Sequence, residues 1–208
     1  MTTGIYEGLT GVLLAGGRNR RMGGKMKALL PLNGQLFVER QLAELGALCS
    51  EILIVANEPA QLEPLLPGYG PPTRIIPDLH PGCGPLAGLQ AAMAQASGKL
   101  LWVVACDMPY VSAAAAGAMA ELLADGAEAA DAIVPQLAGK LQPLHALYRA
   151  RCRFVVDALL AERQYKVMEL LSRISCKTAD EHFFAARGIA ADFAVNVNEP
   201  ADYEKLIP

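Results

Sequence analysis

Short apolar runs alternate along this chain with longer segments of helical period, and that alternation restricts the fold more than any other feature. Buried parallel strands read as nearly continuous Val, Ile and Leu, so the pattern is that of a layered α/β domain with a mostly parallel sheet. Strands are predicted at 10–14, 51–56, 74–76, 99–106, 132–134, 144–148 and 194–197, and helices at 37–48, 85–96, 113–125, 152–162, 167–174 and 200–207. Several boundaries carry their own chemistry. Ser112 can N-cap the Ala-rich helix, Gly98 can end the helix before it, and Asn198 followed by Glu199 and Pro200 suits the start of the last. The stretch NEPAQLEPLLPGYGPPTR holds five prolines and two glycines, which makes it an irregular surface excursion between strands rather than a linker. At 208 residues the chain has enough length for one domain, 1–208, with a substantial core.

The charge balance narrows the partners. Lys and Arg number 18 against 21 Asp and Glu, which leaves no broad basic footprint for duplex nucleic acid, so any anion site has to be local. The five cysteines are scattered and never form a C-x-x-C pair, the pattern of reduced thiols, and a cytoplasmic location is the expectation. The N-terminal residues show no basic and apolar export signal. The Ala-rich stretch at 113–132 is broken by Glu121, Asp125 and Glu128, so no membrane association is expected.

The local anion site is predicted at LLAGGRNRRMGGKMK, residues 13–27, which packs four glycines and five cations directly after the first strand. Ligands of open α/β sheets gather at the carboxyl ends of the strands. Gly16 and Gly17 let backbone N–H groups approach phosphate oxygens closely, and Arg18, Arg20, Arg21, Lys25 and Lys27 can neutralise charge. A polyphosphate is the natural guest; the alternative is a chain reversal with a solvated basic rim. A P-loop does not fit, because Asn19 stands where its first glycine belongs and Met26 replaces its Ser or Thr.

The run LAGGRNRRMGGKMK resembles the L-A-G-G-x-S-x-R-M-G-x-x-x-K signature of molybdenum cofactor guanylyltransferases, with Leu14, Ala15, Gly16, Gly17, Arg21, Met22, Gly23 and Lys27 in place and Asn19 where Ser is common. The resemblance continues through VANE, IIPD, GPLAGL, CDMPY and VNVNEPADYEKL in the family's order. It implies a three-layer, Rossmann-like nucleotidyltransferase fold. It implies GTP and molybdopterin as substrates, release of pyrophosphate, and transient contact with other proteins of the cofactor pathway. Leu14, Ala15, Gly16, Gly17 and Lys27 would then border the nucleotide, with Arg21 and Lys27 assisting catalysis.

Asp107 follows the strand at 99–106. A carboxylate there, beside polyphosphate, is best explained as a ligand of Mg²⁺, which takes one or two protein carboxylates plus phosphate oxygens; the plain alternative is a helix cap. Asn57 and Asp78 end two other strands. The resemblance assigns them to base or ribose, and a guanine edge has N–H donors for their oxygens, although turn formation also suits both. In PGCGPLAGL, Gly84 and Gly88 permit close approach to the nucleotide by resemblance. Asn196 and Asn198, on the predicted last strand, would share one face, and the resemblance puts them near metal or pterin. Arg163 and Lys166 resemble a basic turn for the pterin phosphate. His145 reads as a satisfied core residue, with a place in the second-substrate pocket as the alternative. His80 and Cys83 lack the further ligands that a zinc site needs.

Other classes compete. GCGPLA fits the G-x-G-x-x-G/A dinucleotide fingerprint with Asp107 at suitable spacing, but two prolines in PDLHPG separate it from its strand. A sugar-1-phosphate nucleotidyltransferase would usually be a longer chain. A non-catalytic carrier of a pterin nucleotide would use the same crevice without turnover.

Overall fold

The computed structural model describes residues 5–16, 26–66, 70–124 and 130–207. The glycine-rich loop from Gly17 to Lys25, with Arg18, Arg20, Arg21, Met22 and Gly23, lies outside these residues.

Strand β1 (Tyr6–Leu14) leads to a 3-10 turn (Lys27–Leu29), a small hairpin of β2 (Pro31–Leu32) and β3 (Gln35–Leu36), and helix α1 (Phe37–Leu48). Next come β4 (Cys49–Val55), β5 (Thr73–Ile76), α2 (Pro85–Gln95), β6 (Leu100–Ala105) and α3 (Ala113–Ala124). The second half holds β7 (Ala132–Leu137), β8 (Lys140–Leu141), β9 (His145–Arg149), α4 (Arg153–Ala161), α5 (Val167–Arg173), β10 (Cys176–Asp180), α6 (Glu181–Ala185) and α7 (Pro200–Glu204). The main sheet runs β10-β7-β9-β6-β1-β4-β5, with β8 on β7. β4, β1, β5 and β6 are mutually parallel, and β9 is antiparallel to both of its neighbours.

Strand order places the site. The chain passes from β1 outward to β4 and β5, then crosses back through α2 to add β6 on the other side of β1. Such a reversal opens a crevice above the carboxyl ends of the central strands.

The pleat alternates side chains between two buried layers. Leu9 and Leu13 of β1, Ile52 and Ile54 of β4, and Trp102 and Val104 of β6 pack with α1 and α3. Val12 and Leu14, Leu53 and Val55, and Leu101 and Val103 pack with α2, α4 and α5 on the opposite face. Both faces are covered, which is why these strands lack polar alternation. A third cluster of Leu30, Leu32, Phe37 and Val197 ties the segment after Lys27 to the C-terminal tail, with Tyr203 edge-on to Phe37 at 6.1 Å.

Most predicted elements form within a residue or two, and Ser112 caps α3 by accepting from Ala115 N–H at 3.2 Å. Two readings are corrected, and one strand was missed. Residues 194–197 join no strand: a 3-10 turn (Ala191–Ala194) precedes them, and buried Val197 donates its N–H to Asp107 O at 2.8 Å instead of to a sheet neighbour. The last helix is short, and its start is held by Asp202, whose Oδ2 accepts from the backbone N–H of Asn198 at 3.0 Å and of Glu199 at 3.1 Å, so the Asn198 side chain is not the cap. β10, in CKTAD, has one buried side chain, Ala179, and so gives no apolar signal, yet it pairs in parallel along β7.

Toward the amino ends of the strands, Glu51 is nearly buried. Its Oε2 accepts from Thr10 Oγ1 (3.0 Å), Ser97 N (2.9 Å) and Ser97 Oγ (2.8 Å), and its Oε1 accepts from Arg74 Nη2 at 2.7 Å. Burial alone would raise this carboxyl, but Arg74, Ser97 and Thr10 together hold it below its ordinary value. A lowered folded pKa stabilises the native state above the unfolded value, about 4.3 for Glu, and that contribution fades as pH falls through the folded value. Glu51→Gln is expected to cost about 2 kcal/mol at pH 7, since it weakens a charged acceptor shared by buried Thr10, by Ser97 and by the half-exposed Arg74. Urea unfolding at pH 7 and below pH 4 checks this: the gap between the two proteins should narrow in acid.

Candidate functional site

Above the carboxyl ends of β1, β4, β5 and β6 lies a cavity of about 650 Å³, within the size range of small-molecule and cofactor sites. Its floor is stiff because the ladder continues past the strand ends. Ala15 N–H donates to Val55 O at 3.0 Å, Ala56 N–H to Ile76 O at 3.0 Å, and Cys106 N–H to Leu14 O at 3.1 Å. Each loop therefore starts from a fixed point.

Leu14, Gly16, Asn57, Asp78, Gly84, Gly88 and Asp107 all line this cavity, alongside Val55, Cys106 and Leu144. Residues far apart in the chain thus converge on one cavity. Among the described residues, a Cβ at Gly16 would meet no atom within 4 Å, and Gly16 lines the cavity. Ala15 is different: its side chain is buried and its amide is spent on Val55, leaving a supporting role. Gly17 and Arg21 lie outside the described residues.

Gly84 precedes α2 at φ +74°, a conformation that side chains resist, and Pro85 begins the helix. The N-terminus of α2 thereby faces the cavity, where the positive end of the helix dipole favours anions. Gly88, one turn on, lets α2 settle against the sheet; a Cβ there would stand 3.1 Å from Leu14 Cδ2 and 3.5 Å from Val55 Cγ1. Asn57 Oδ1 accepts from Asp78 N–H at 3.2 Å, and Asp78 Oδ1 accepts from His80 N–H at 2.8 Å. The two polar residues therefore brace the loops after β4 and β5, a turn-forming role that coexists with their place on the cavity wall.

Opposite them, Asp107 follows the end of β6. Lys27 Nζ stands 3.3 Å from Asp107 Oδ2, with side-chain exposures of 15 % and 22 %. Lys27 reaches this point from the 3-10 turn whose next residues, Leu30 and Leu32, anchor in the cluster with Phe37 and Val197. Val197 N–H holds the Asp107 carbonyl. Asn196 and Asn198 flank Val197 and so lie next to Asp107 in the chain's path, but neither lines the cavity and they share no strand face. Asn196 Nδ2 donates to Ala194 O at 2.8 Å, and Asn198 is exposed.

Among the described residues no group of three or more His, Cys, Asp or Glu side chains could hold a metal, so a cation at Asp107 would draw its other ligands from phosphate and water. A lone hard carboxylate suits that division. The adjacent Cys106 thiol is pushed up to about 12, chiefly by burial and then by the Asp107 charge, so it is no nucleophile at neutral pH. His80 and Cys83 line a separate cavity of about 300 Å³ with Gln90, Asp157 and Tyr165.

His145 belongs to the core, though not fully satisfied. Its Nε2 accepts from Ser112 N–H at 3.1 Å, and its ring lies 5.4 Å from Trp102 and 4.7 Å from Phe193. Nδ1 has no partner among the described residues, and burial lowers the pKa to about 4, so the ring is neutral at pH 7. It positions the start of α3. The sequence reading missed Arg40, Gln41 and Glu44 of α1, which bond to Pro109 O, to Ala105 and Met108 O, and to Ala113 N. Gln41 had a signal: it falls on the apolar face with Phe37, Val38, Leu45 and Leu48.

A doubly covered, mostly parallel sheet with an anion-friendly crevice at its switch point defines an α/β nucleotide-binding protein. Residues 11–178 match the MobA-like NTP transferase domain, and the chain belongs to that family. It is 34% identical over 201 residues to a probable molybdenum cofactor guanylyltransferase of Carboxydothermus hydrogenoformans, covering 97% of this chain and 96% of that one. Another probable molybdenum cofactor guanylyltransferase, from Methanothermobacter thermautotrophicus, is 36% identical over 168 residues, covering 80% and 85%. Among solved structures, molybdopterin-guanine dinucleotide biosynthesis protein A of Archaeoglobus fulgidus superposes with a TM-score of 0.74 at 24% identity, covering 95% of this chain and 96% of that one. A 4-diphosphocytidyl-2C-methyl-D-erythritol synthase of Anaerococcus prevotii shares the fold at TM-score 0.71 and 10% identity, covering 95% and 93%. The protein is an enzyme of the nucleotidyltransferase class. No described helix is long and apolar enough to cross a membrane.

Proposed function

We propose that the protein transfers GMP from GTP to the terminal phosphate of molybdopterin and releases pyrophosphate. The observation that carries this reading is Asp107 on the wall of a nucleotide-sized cavity and paired with Lys27 behind it, with Gly16 and the N-terminus of α2 lining the same cavity. The guanylyl choice is supported by the names of the relatives.

The nucleophile needs no Ser-His-Asp machinery, because a phosphate monoester with a second pKa near 6 is already largely ionised at neutral pH. The chain's work is positioning and charge stabilisation: two anions held in line at the α-phosphorus. The amides of Gly16 and Gly17 would cradle the β- and γ-phosphates. Lys27 and Arg21 would neutralise the departing pyrophosphate. Asp107 would hold Mg²⁺, whose charge supplies Lewis-acid stabilisation of phosphate oxygens when bound. Asn57 and Asp78 would face base or ribose; Asn196 and Asn198, which do not line the cavity, are left without a substrate role.

Pyrophosphate release from GTP, dependent on molybdopterin and Mg²⁺, tests the reading. A carrier would bind without turnover. A thermal-shift panel of nucleotides with Mg²⁺ is expected to show selective stabilisation by GTP, of about 2.7 kcal/mol at a hundred times its Kd. Equal shifts with CTP and ATP would overturn the guanine assignment.

A further inference from the structure

We infer that Gln41 is a positioning residue for the Asp107 carboxylate, setting where that oxygen pair meets metal and phosphate. The inference rests on the proposed metal role of Asp107.

Gln41 is fully buried on α1, at a position where the helical period calls for a hydrocarbon. An amide there needs hydrogen bonds to offset its lost hydration. Both of its N–H donors go to one short turn: Nε2 donates to Ala105 O at 3.0 Å and to Met108 O at 2.8 Å. Those carbonyls belong to the last residue of β6 and to the residue after Asp107, so they bracket Cys106 and Asp107. The turn closes on itself through Met108 N–H to Ala105 O at 3.2 Å, and Gln41 staples both of its ends to the helix.

Leucine would serve packing alone at this position. What the amide adds is a fixed orientation for the turn, and with it the direction in which Asp107 leaves the sheet. From the other side, Val197 N–H holds the Asp107 carbonyl at 2.8 Å. The backbone of the proposed metal ligand is thus gripped from α1 and from the C-terminal tail, while its side chain stays on the cavity wall beside Lys27. Supporting hydrogen bonds behind metal ligands are typically worth about 10- to 100-fold in metal affinity or activity.

The test replaces Gln41 by methionine, of similar volume but with no N–H donor, and follows Mn²⁺ as the spectroscopic probe. Electron paramagnetic resonance reads Mn²⁺ affinity in the presence of GTP, alongside thermal unfolding and the dependence of kcat on metal concentration. Gln41→Met is expected to weaken Mn²⁺ binding about tenfold, with kcat partly restored by added metal and KM for GTP at saturating metal unchanged. Gln41→Asn, which keeps the donors one carbon short, should fall between the two and serves if the methionine variant fails to fold. A lower melting temperature with wild-type Mn²⁺ affinity in either variant would show that Gln41 only packs, and would overturn the inference. Asp107→Asn is measured in parallel. Loss of Mn²⁺ there but not in the Gln41 variants defeats the positioning role alone, whereas wild-type Mn²⁺ affinity in Asp107→Asn defeats the metal role and this inference with it.

Discussion

Asp107→Asn is expected to lower GMP transfer by about a thousandfold, at the upper end of what single charge-stabilising groups contribute. The substitution keeps size and shape and removes the charge. Folding should survive it, because the carboxylate's one ion-pair partner among the described residues is Lys27, and the loop is held by backbone bonds through Ala105, Met108 and Val197. The expected signature is a fall in kcat with the melting temperature of the free protein within a few degrees of wild type. Pyrophosphate release at saturating Mg²⁺, paired with thermal unfolding, checks it. Turnover within tenfold of wild type would remove Asp107 from the chemistry and leave it as the ion-pair partner of Lys27.

Much of the lining of this cavity is legible in the sequence, and the reason is topological. In a parallel sheet each strand ends at the same rim, so polar residues that directly follow apolar runs converge without being near in sequence. Asn57, Asp78 and Asp107 each follow such a run, and Gly16 follows another; all four line the cavity. Helix bounds were legible for the same kind of reason: α1 has its full amphipathic stripe, and α3 has Ser112 at its start.

What escaped was set by long-range partners. Val195 and Val197 look like the inward face of a strand, yet Val197 is buried because the tail folds onto Asp107 and Phe37, and no sheet neighbour is within reach of its N–H. β10 carries almost no apolar residues, since an edge position on β7 asks for hydrogen bonds rather than burial. His145 was placed in the core, but its pairing with Ser112 N–H across thirty-three positions has no local trace. Gln41 did leave one, a lone amide in a hydrocarbon stripe, which is the kind of exception that marks a buried polar task.

Lys27→Ala is expected to reduce kcat about a hundredfold while changing KM for GTP little, because negative charge on the pyrophosphate grows toward the transition state and an ammonium there favours that state over the ground state. In the protein without ligands, Lys27 already spends its charge on Asp107 at 3.3 Å, and both side chains are mostly shielded from water. Its removal therefore has a second consequence that separates this role from a structural one. The Asp107 carboxylate loses its neutralising partner, so a divalent cation alone should bind more tightly to the variant than to wild type, even as turnover collapses. Opposite movements of metal affinity and kcat in one variant are hard to produce by misfolding, which lowers both. Titration of Mn²⁺ against the nucleotide-free proteins, with kcat measured at saturating metal, gives the two numbers. A variant that keeps wild-type kcat would end the catalytic role of Lys27. One that loses kcat and metal affinity together would mean that the ion pair builds the site instead of competing for it.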